Sequence, residues 1–106
     1  MIRRWVLSLH KIIQFCEDKQ IQLILVTTPT WHSYYEHLDK HQLDQLLSTA
    51  KELDNNHENV FYFNFLKDDR FNDNDFKDGD HLSEDGAEKF TKILKDSIKH
   101  KLDIEL

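Results

Sequence analysis

The chain has 106 residues, 39% of them hydrophobic, one cysteine and a formal net charge of -6. That length carries one small domain, expected to span residues 1–106. The acidic balance excludes a general phosphate-backbone binder, so no nucleic-acid partner is expected. A lone thiol excludes an intrachain disulfide and fixes no compartment.

The N-terminus has Arg3 and Arg4, then Trp5, Val6 and Leu7. It lacks the long apolar run and small-residue cleavage site of a signal peptide. No segment approaches the length of a membrane span. Ile2, Trp5, Val6, Leu9, Ile12, Ile13 and Cys16 recur at three- and four-residue spacing. This predicts an amphipathic helix over about residues 2–19, with Cys16 a buried structural thiol. Residues 21–27 follow at once and are almost continuously apolar from Leu23. They read as a strand buried on both faces. Pro29 ends it, because proline cannot donate to a ladder.

Residues 31–35, Trp-His-Ser-Tyr-Tyr, read as an aromatic, polar loop. Leu43, Leu46, Leu47, Ala50 and Leu53 define a second helix, about residues 38–54. The turn-rich stretch 55–59 breaks it. Residues 60–65, Val-Phe-Tyr-Phe-Asn-Phe, form a second strand expected to be buried on both faces. A long acidic loop spans about residues 67–81. The last helix begins near Ser83, its candidate N-cap. Gly86, Ala87, Phe90, Ile93, Leu94 and Ile98 supply the inner face.

Helix, strand, helix, strand, helix is an α/β order. Strands separated by helices predict parallel pairing through a right-handed crossover. Both strands then end at one edge of the sheet, where ligand sites of open α/β sheets lie. The loop at 31–35 and the loop at 78–81 both follow those ends. This is the geometric reason to treat them as one site.

The most informative stretch is Asp78-Gly79-Asp80-His81-Leu82-Ser83-Glu84-Asp85-Gly86-Ala87. An Asp three residues before a His lets a carboxylate orient an imidazole, two thirds of a hydrolytic triad. Asp54 and His57 have the same spacing, but they follow a helical pattern and read as a polar loop. The Asp78–His81 pair follows a strand and opens a helix.

This block, behind the strand ending Val26-Thr27-Thr28-Pro29-Thr30, resembles the C-terminal half of an SGNH/GDSL hydrolase over about residues 2–100. The resemblance implies a flavodoxin-like parallel-sheet fragment, three-layered in the complete parent. It implies that His81 is the general base for a nucleophilic serine and that Asp78 orients its ring. Gly86 would permit close packing near the start of the last helix. The family's Gly-Asp-Ser nucleophile block and its oxyanion blocks do not occur here; the only glycines are Gly79 and Gly86. The expectation is therefore an ester hydrolase or acyltransferase-like fragment with little or no activity alone. The complete parent would act on an ester-linked acyl group, on a carbohydrate or cell-envelope molecule, and would be envelope-associated.

With the family's first strands missing, one edge of the first strand here would lie open. An open apolar edge invites pairing. A homo-oligomer, or completion by a missing N-terminal half, is expected. Ser33 is the only serine in the other strand-end loop and is the best substitute nucleophile, though no glycine or strained elbow surrounds it. Trp31, Tyr34 and Tyr35 pack over the sheet end or line a cleft suited to an acyl or sugar group.

Other patterns are weaker. His37 and His41 lie four apart on one predicted helix and, with His32, match a metal site only loosely; without an HExxH arrangement they read as surface histidines. Asp73, Asp75 and Glu84 fall at first, third and twelfth positions of a calcium loop, but Lys77 and Asp78 occupy its fifth and sixth positions. No metal and no cofactor are expected. Two functional classes stand: the enzyme-derived half described above, and a noncatalytic α/β association module that recruits a partner through its open strand.

Overall fold

The computed structural model describes residues 4–106. The expected helix start at residue 2, with Ile2 and Arg3, lies outside the described residues. The described residues form a mixed α/β structure of four α-helices and two small sheets. It divides into two compact, interleaved units: the chain through Thr27 with Leu38–Asn64, and Thr28–His37 with Phe65–Leu106.

The first unit holds α1 (Arg4–Asp18), β1 (Leu23–Thr27), α3 (Lys40–Asn56) and β2 (Val60–Asn64). α1 is helical because its apolar residues share a stripe, from which Ile13 and Cys16 are buried. A Schellman turn stops it. Gln20 takes the left-handed conformation at φ 59°, its N–H donates to Glu17 O, and Ile21 N–H donates to Cys16 O at 2.7 Å. That turn delivers the chain directly into β1. Asp39 caps α3 by accepting from Gln42 N–H at 3.0 Å. Ile13, Leu53 and Val60 form the core, with Leu9, Leu23 and Leu25 packed against them.

β1 and β2 pair in parallel, Leu23 opposite Val60 and Thr27 opposite Asn64. The expected burial on both faces does not hold. Every residue of β1 is half-buried, and β2 runs from buried Val60 to exposed Asn64. A sheet of two strands leaves each strand with one neighbour, so apolar content alone cannot enclose it. One polar contact crosses the pair, and a second ties β2 to α3. The Thr27 and Tyr62 hydroxyls are hydrogen-bonded, and Asp54 Oδ2 accepts from Tyr62 N–H at 2.8 Å. Leu23 N–H donates to Asn59 O, so the Tyr62 N–H points to the outer edge of β2. Asp54 therefore blocks one donor of an exposed strand edge. The sequence reading of Asp54 as part of a polar loop is corrected: α3 runs on to Asn56, and the residue is the helix's tie to β2.

The second unit holds α2 (His32–Glu36), the hairpin β3 (Phe76–Asp78) and β4 (His81–Leu82), and α4 (Glu84–Leu102). The expected loops at 31–35 and 67–81 are thus more ordered than their composition suggested. The first contains a helical turn; the second contains a 3-10 turn at Asp73–Asp75 and the antiparallel hairpin. Ser83 is the N-cap of α4, as its sequence position implied, and its hydroxyl accepts from Gly86 N–H at 3.1 Å. Phe65, 6% exposed, packs edge-on to Phe90 at 5.3 Å, and Phe71 meets Phe90 and Phe76.

Candidate functional site

The hairpin that carries Asp78 and His81 is anchored to α4 by one buried carboxylate. Asp75 is 5% exposed. Its Oδ2 receives Lys89 Nζ at 2.6 Å and Asn72 N–H at 2.9 Å. Lys89, one face turn into α4, also donates to Arg70 O at 3.0 Å. The Lys89 bond and then the Asn72 N–H hold the Asp75 carboxyl below the ordinary aspartate value. The Asp75 carbonyl accepts from Ser83 N–H at 2.8 Å, which closes the hairpin's far end. Gly86 lies against that same carbonyl: a Cβ there would sit 2.0 Å from Asp75 O. The glycine is required by this close approach of two backbones.

On this frame, Asp78 Oδ1 lies 2.7 Å from His81 Nδ1. Asp80, which the sequence reading did not single out, adds a second carboxylate, its Oδ1 3.0 Å from the same nitrogen. Asp80 N–H donates to Asp78 Oδ1 at 3.3 Å, which steadies the turn. The hydrogen bond to Asp78, followed by the charges of Asp78 and Asp80, raises the His81 pKa above the usual imidazole value. The same bond lowers the Asp78 pKa. A proton on Nδ1 shared with Asp78 leaves Nε2 as the basic nitrogen of the neutral ring. The His81 side chain is 68% exposed.

The two expected loops do meet. Trp31 N–H donates to Gly79 O at 3.0 Å, and a Cβ on Gly79 would touch the Tyr34 ring at 3.1 Å. Trp31 Nε1 donates to Asp73 Oδ1 at 2.7 Å. Ser33 is half-buried on α2, where its carbonyl accepts from His37 Nδ1 at 2.5 Å. Thus Trp31 and Tyr34 stand against the turn between Asp78 and His81, while Ser33 is built into the short helix beside it.

A family model described as "Protein of unknown function (DUF1574)" matches residues 5–98. The chain belongs to this family. The match runs from α1 into α4 and so includes Asp78, His81 and the whole frame that holds them. No curated protein and no solved structure matches the chain.

The weaker metal patterns dissolve in the fold. His37 ends α2 and His41 belongs to α3, so they do not share one helix; Asp39 begins a new one between them. Asp75 is buried against Lys89, and Asp73 Oδ1 accepts from Trp31 Nε1–H. Among the described residues, Asp78, Asp80 and His81 are the group whose donor atoms lie close enough to share one ion, all within 4.8 Å of one another. An ion there would take His81 Nδ1, the atom that makes the bond to Asp78.

Proposed function

We propose that this chain is the histidine- and aspartate-bearing half of an SGNH/GDSL-type ester hydrolase or acyltransferase-like protein. His81 is its general base and Asp78 the carboxylate that orients the ring. One observation carries the reading: Asp78 Oδ1 bonds His81 Nδ1 at 2.7 Å on a hairpin anchored to α4, with the His81 side chain 68% exposed. In such a site Nε2 takes the proton of a serine hydroxyl as it attacks the acyl carbon, then returns it to the leaving alcohol. Asp78 stabilises the imidazolium formed between these steps. The serine and the oxyanion donors belong to blocks not found in residues 1–106, so these residues alone are expected to show little or no esterase activity. The substrate class is an acyl ester, on a carbohydrate or cell-envelope molecule.

The decisive experiment is fluorophosphonate labelling of the natural gene product. The label should fall on a serine outside residues 1–106 and disappear in His81→Gln. A gene product that takes no label and cleaves no aryl ester would overturn the reading.

A second reading, a noncatalytic association module, draws on a different observation. Among the described residues β1 pairs with β2 alone, and Leu7, Ile12 and Phe15 of α1 are 49%, 47% and 58% exposed. Self-association would cover such surface. Light scattering over a range of concentrations tests it. A dimer supports association, whereas a monomer throughout removes its basis.

A further inference from the structure

The second unit contains a cleft of about 230 Å³ that the Asp78–His81 chemistry does not use. Trp31, Tyr35, Phe71 and Phe76 give it aromatic walls, and Asp68, Asp69 and Asp73 give it carboxylates. Its volume is below the roughly 300–1,000 Å³ of sites that enclose drug-sized ligands, so it suits a single ring. Three features select the kind of ring.

The Trp31 indole is fixed before any ligand arrives. Its Nε1–H donates to Asp73 and its backbone N–H to Gly79, yet it remains 37% exposed. A rigid, partly wet indole is a stacking surface for a flat, weakly polar face. Next, the cleft is rich in acceptors. Asp68 is engaged by Arg70, but Asp69 is exposed and negative, a ready acceptor for ligand hydroxyls. Thr30 also lines the cleft, and its buried Oγ1 has no hydrogen-bond partner. That atom is sealed from the cleft, so the acceptors a ligand meets there are the exposed carboxylates. Last, the protein's own cations already cover two of the rings. Lys67 Nζ lies 5.2 Å from the Tyr35 centroid, and Lys89 Nζ lies 5.5 Å from that of Phe71. These ammoniums fill the places a ligand cation would take. The carboxylates in turn disfavour an anionic ligand.

We infer that this cleft binds the pyranose ring of a neutral sugar, stacked on Trp31 with hydroxyls donated to Asp69. The ligand class rests on the cleft's own chemistry. It deepens the ester reading, which names a carbohydrate among its substrates, and rests on that reading for its role in the reaction; Trp31 N–H is bonded to Gly79, between Asp78 and Asp80. A sugar bound here would make the cleft the carbohydrate subsite of that chemistry.

The test is a heteronuclear NMR titration of the chain with neutral oligosaccharides of glucose and of N-acetylglucosamine, and with tetramethylammonium as the cationic probe. The inference predicts saturable shifts of the Trp31 Nε1–H and of Thr30 and Asp69 amides with one of the sugars, at a Kd on the order of 1 mM. Asp69→Ala, at an exposed site that leaves the fold intact, should weaken that binding about tenfold. Trp31→Phe should weaken it further while the remaining spectrum stays dispersed. Saturation by tetramethylammonium alone, no response to any sugar, or unchanged affinity in Asp69→Ala would each overturn the inference. Fluorophosphonate labelling is indifferent to these outcomes, so failure here and failure of the ester reading are told apart.

Discussion

Lys89→Met isolates the contact on which the geometry of the site depends. Methionine keeps an unbranched stem beside Phe71 and removes the ammonium, so the buried Asp75 carboxylate retains the Asn72 N–H but loses its countercharge. Breaking a buried ion pair from one side costs about 3–5 kcal/mol, because the remaining charge is stranded. Lys89 is itself 35% exposed, so water offsets part of this, and a loss of about 2–3 kcal/mol is expected. For a chain of this size each kcal/mol moves Tm by about 4–8 °C, so the midpoint should fall by about 10–20 °C. Adding Asp75→Asn to Lys89→Met removes the stranded charge and should recover much of the loss. The pH dependence gives a second readout. The Asp75 pKa is lowered in the native state, so the unfolded state binds more protons in the acid range. Its contribution is therefore present above the unfolded value near pH 4 and is lost as pH falls through the native value. In Lys89→Met this acid-sensitive contribution shrinks. Urea melts at neutral and acid pH measure both effects. A change within about 0.5 kcal/mol, the range of ordinary surface substitutions, would refute the buried-pair argument.

Three further outcomes follow from single contacts. Gly86→Ala places a Cβ against the Asp75 backbone and should destabilise by at least about 3 kcal/mol, the upper end of overpacking costs, in the same melts. Asp54→Ala leaves the Tyr62 N–H without its carboxylate and should cost about 1–3 kcal/mol, with faster amide exchange at Tyr62. Thr27→Val removes the hydroxyl bonded to the Tyr62 phenol and should cost about 1 kcal/mol. The Tyr62 pKa, raised by burial and partly offset by that bond, should then rise further in a spectrophotometric titration.

The elements with an apolar period were legible in the residues alone. α1, α3 and α4 announce themselves through stripes such as Leu9, Ile13 and Cys16, and β1 and β2 through short apolar runs. Their parallel pairing followed from the helix between them. Ser83 as N-cap was equally plain, since Ser precedes an acidic first turn. What could not be read was order created by contacts distant in sequence. α2 has no apolar stripe; Trp31 is fixed by Asp73 and Gly79, more than 40 residues on. The acidic stretch from Asp73 to His81 reads as a solvated loop by composition. Its burial of Asp75 depends on Lys89, 14 residues away on α4. Double burial of the strands failed for a related reason: an apolar run states what a strand can cover, not how many neighbours it has. The Asp78–His81 contact was visible because its spacing is local, whereas the Asp80 contribution lay hidden in the same turn.

The central claim is that Asp78 holds His81 as an oriented base, and a pH titration of the His81 ring by NMR tests it most directly. Because the native pKa of His81 is raised, it should titrate above the ordinary value of about 6.5. Any stability it lends is present below that value and is lost as pH rises through the native pKa. In Asp78→Asn the titration should move down, with Asp80 alone retaining part of the shift. A His81 that titrates at or below the ordinary value, unmoved by Asp78→Asn, would contradict the account.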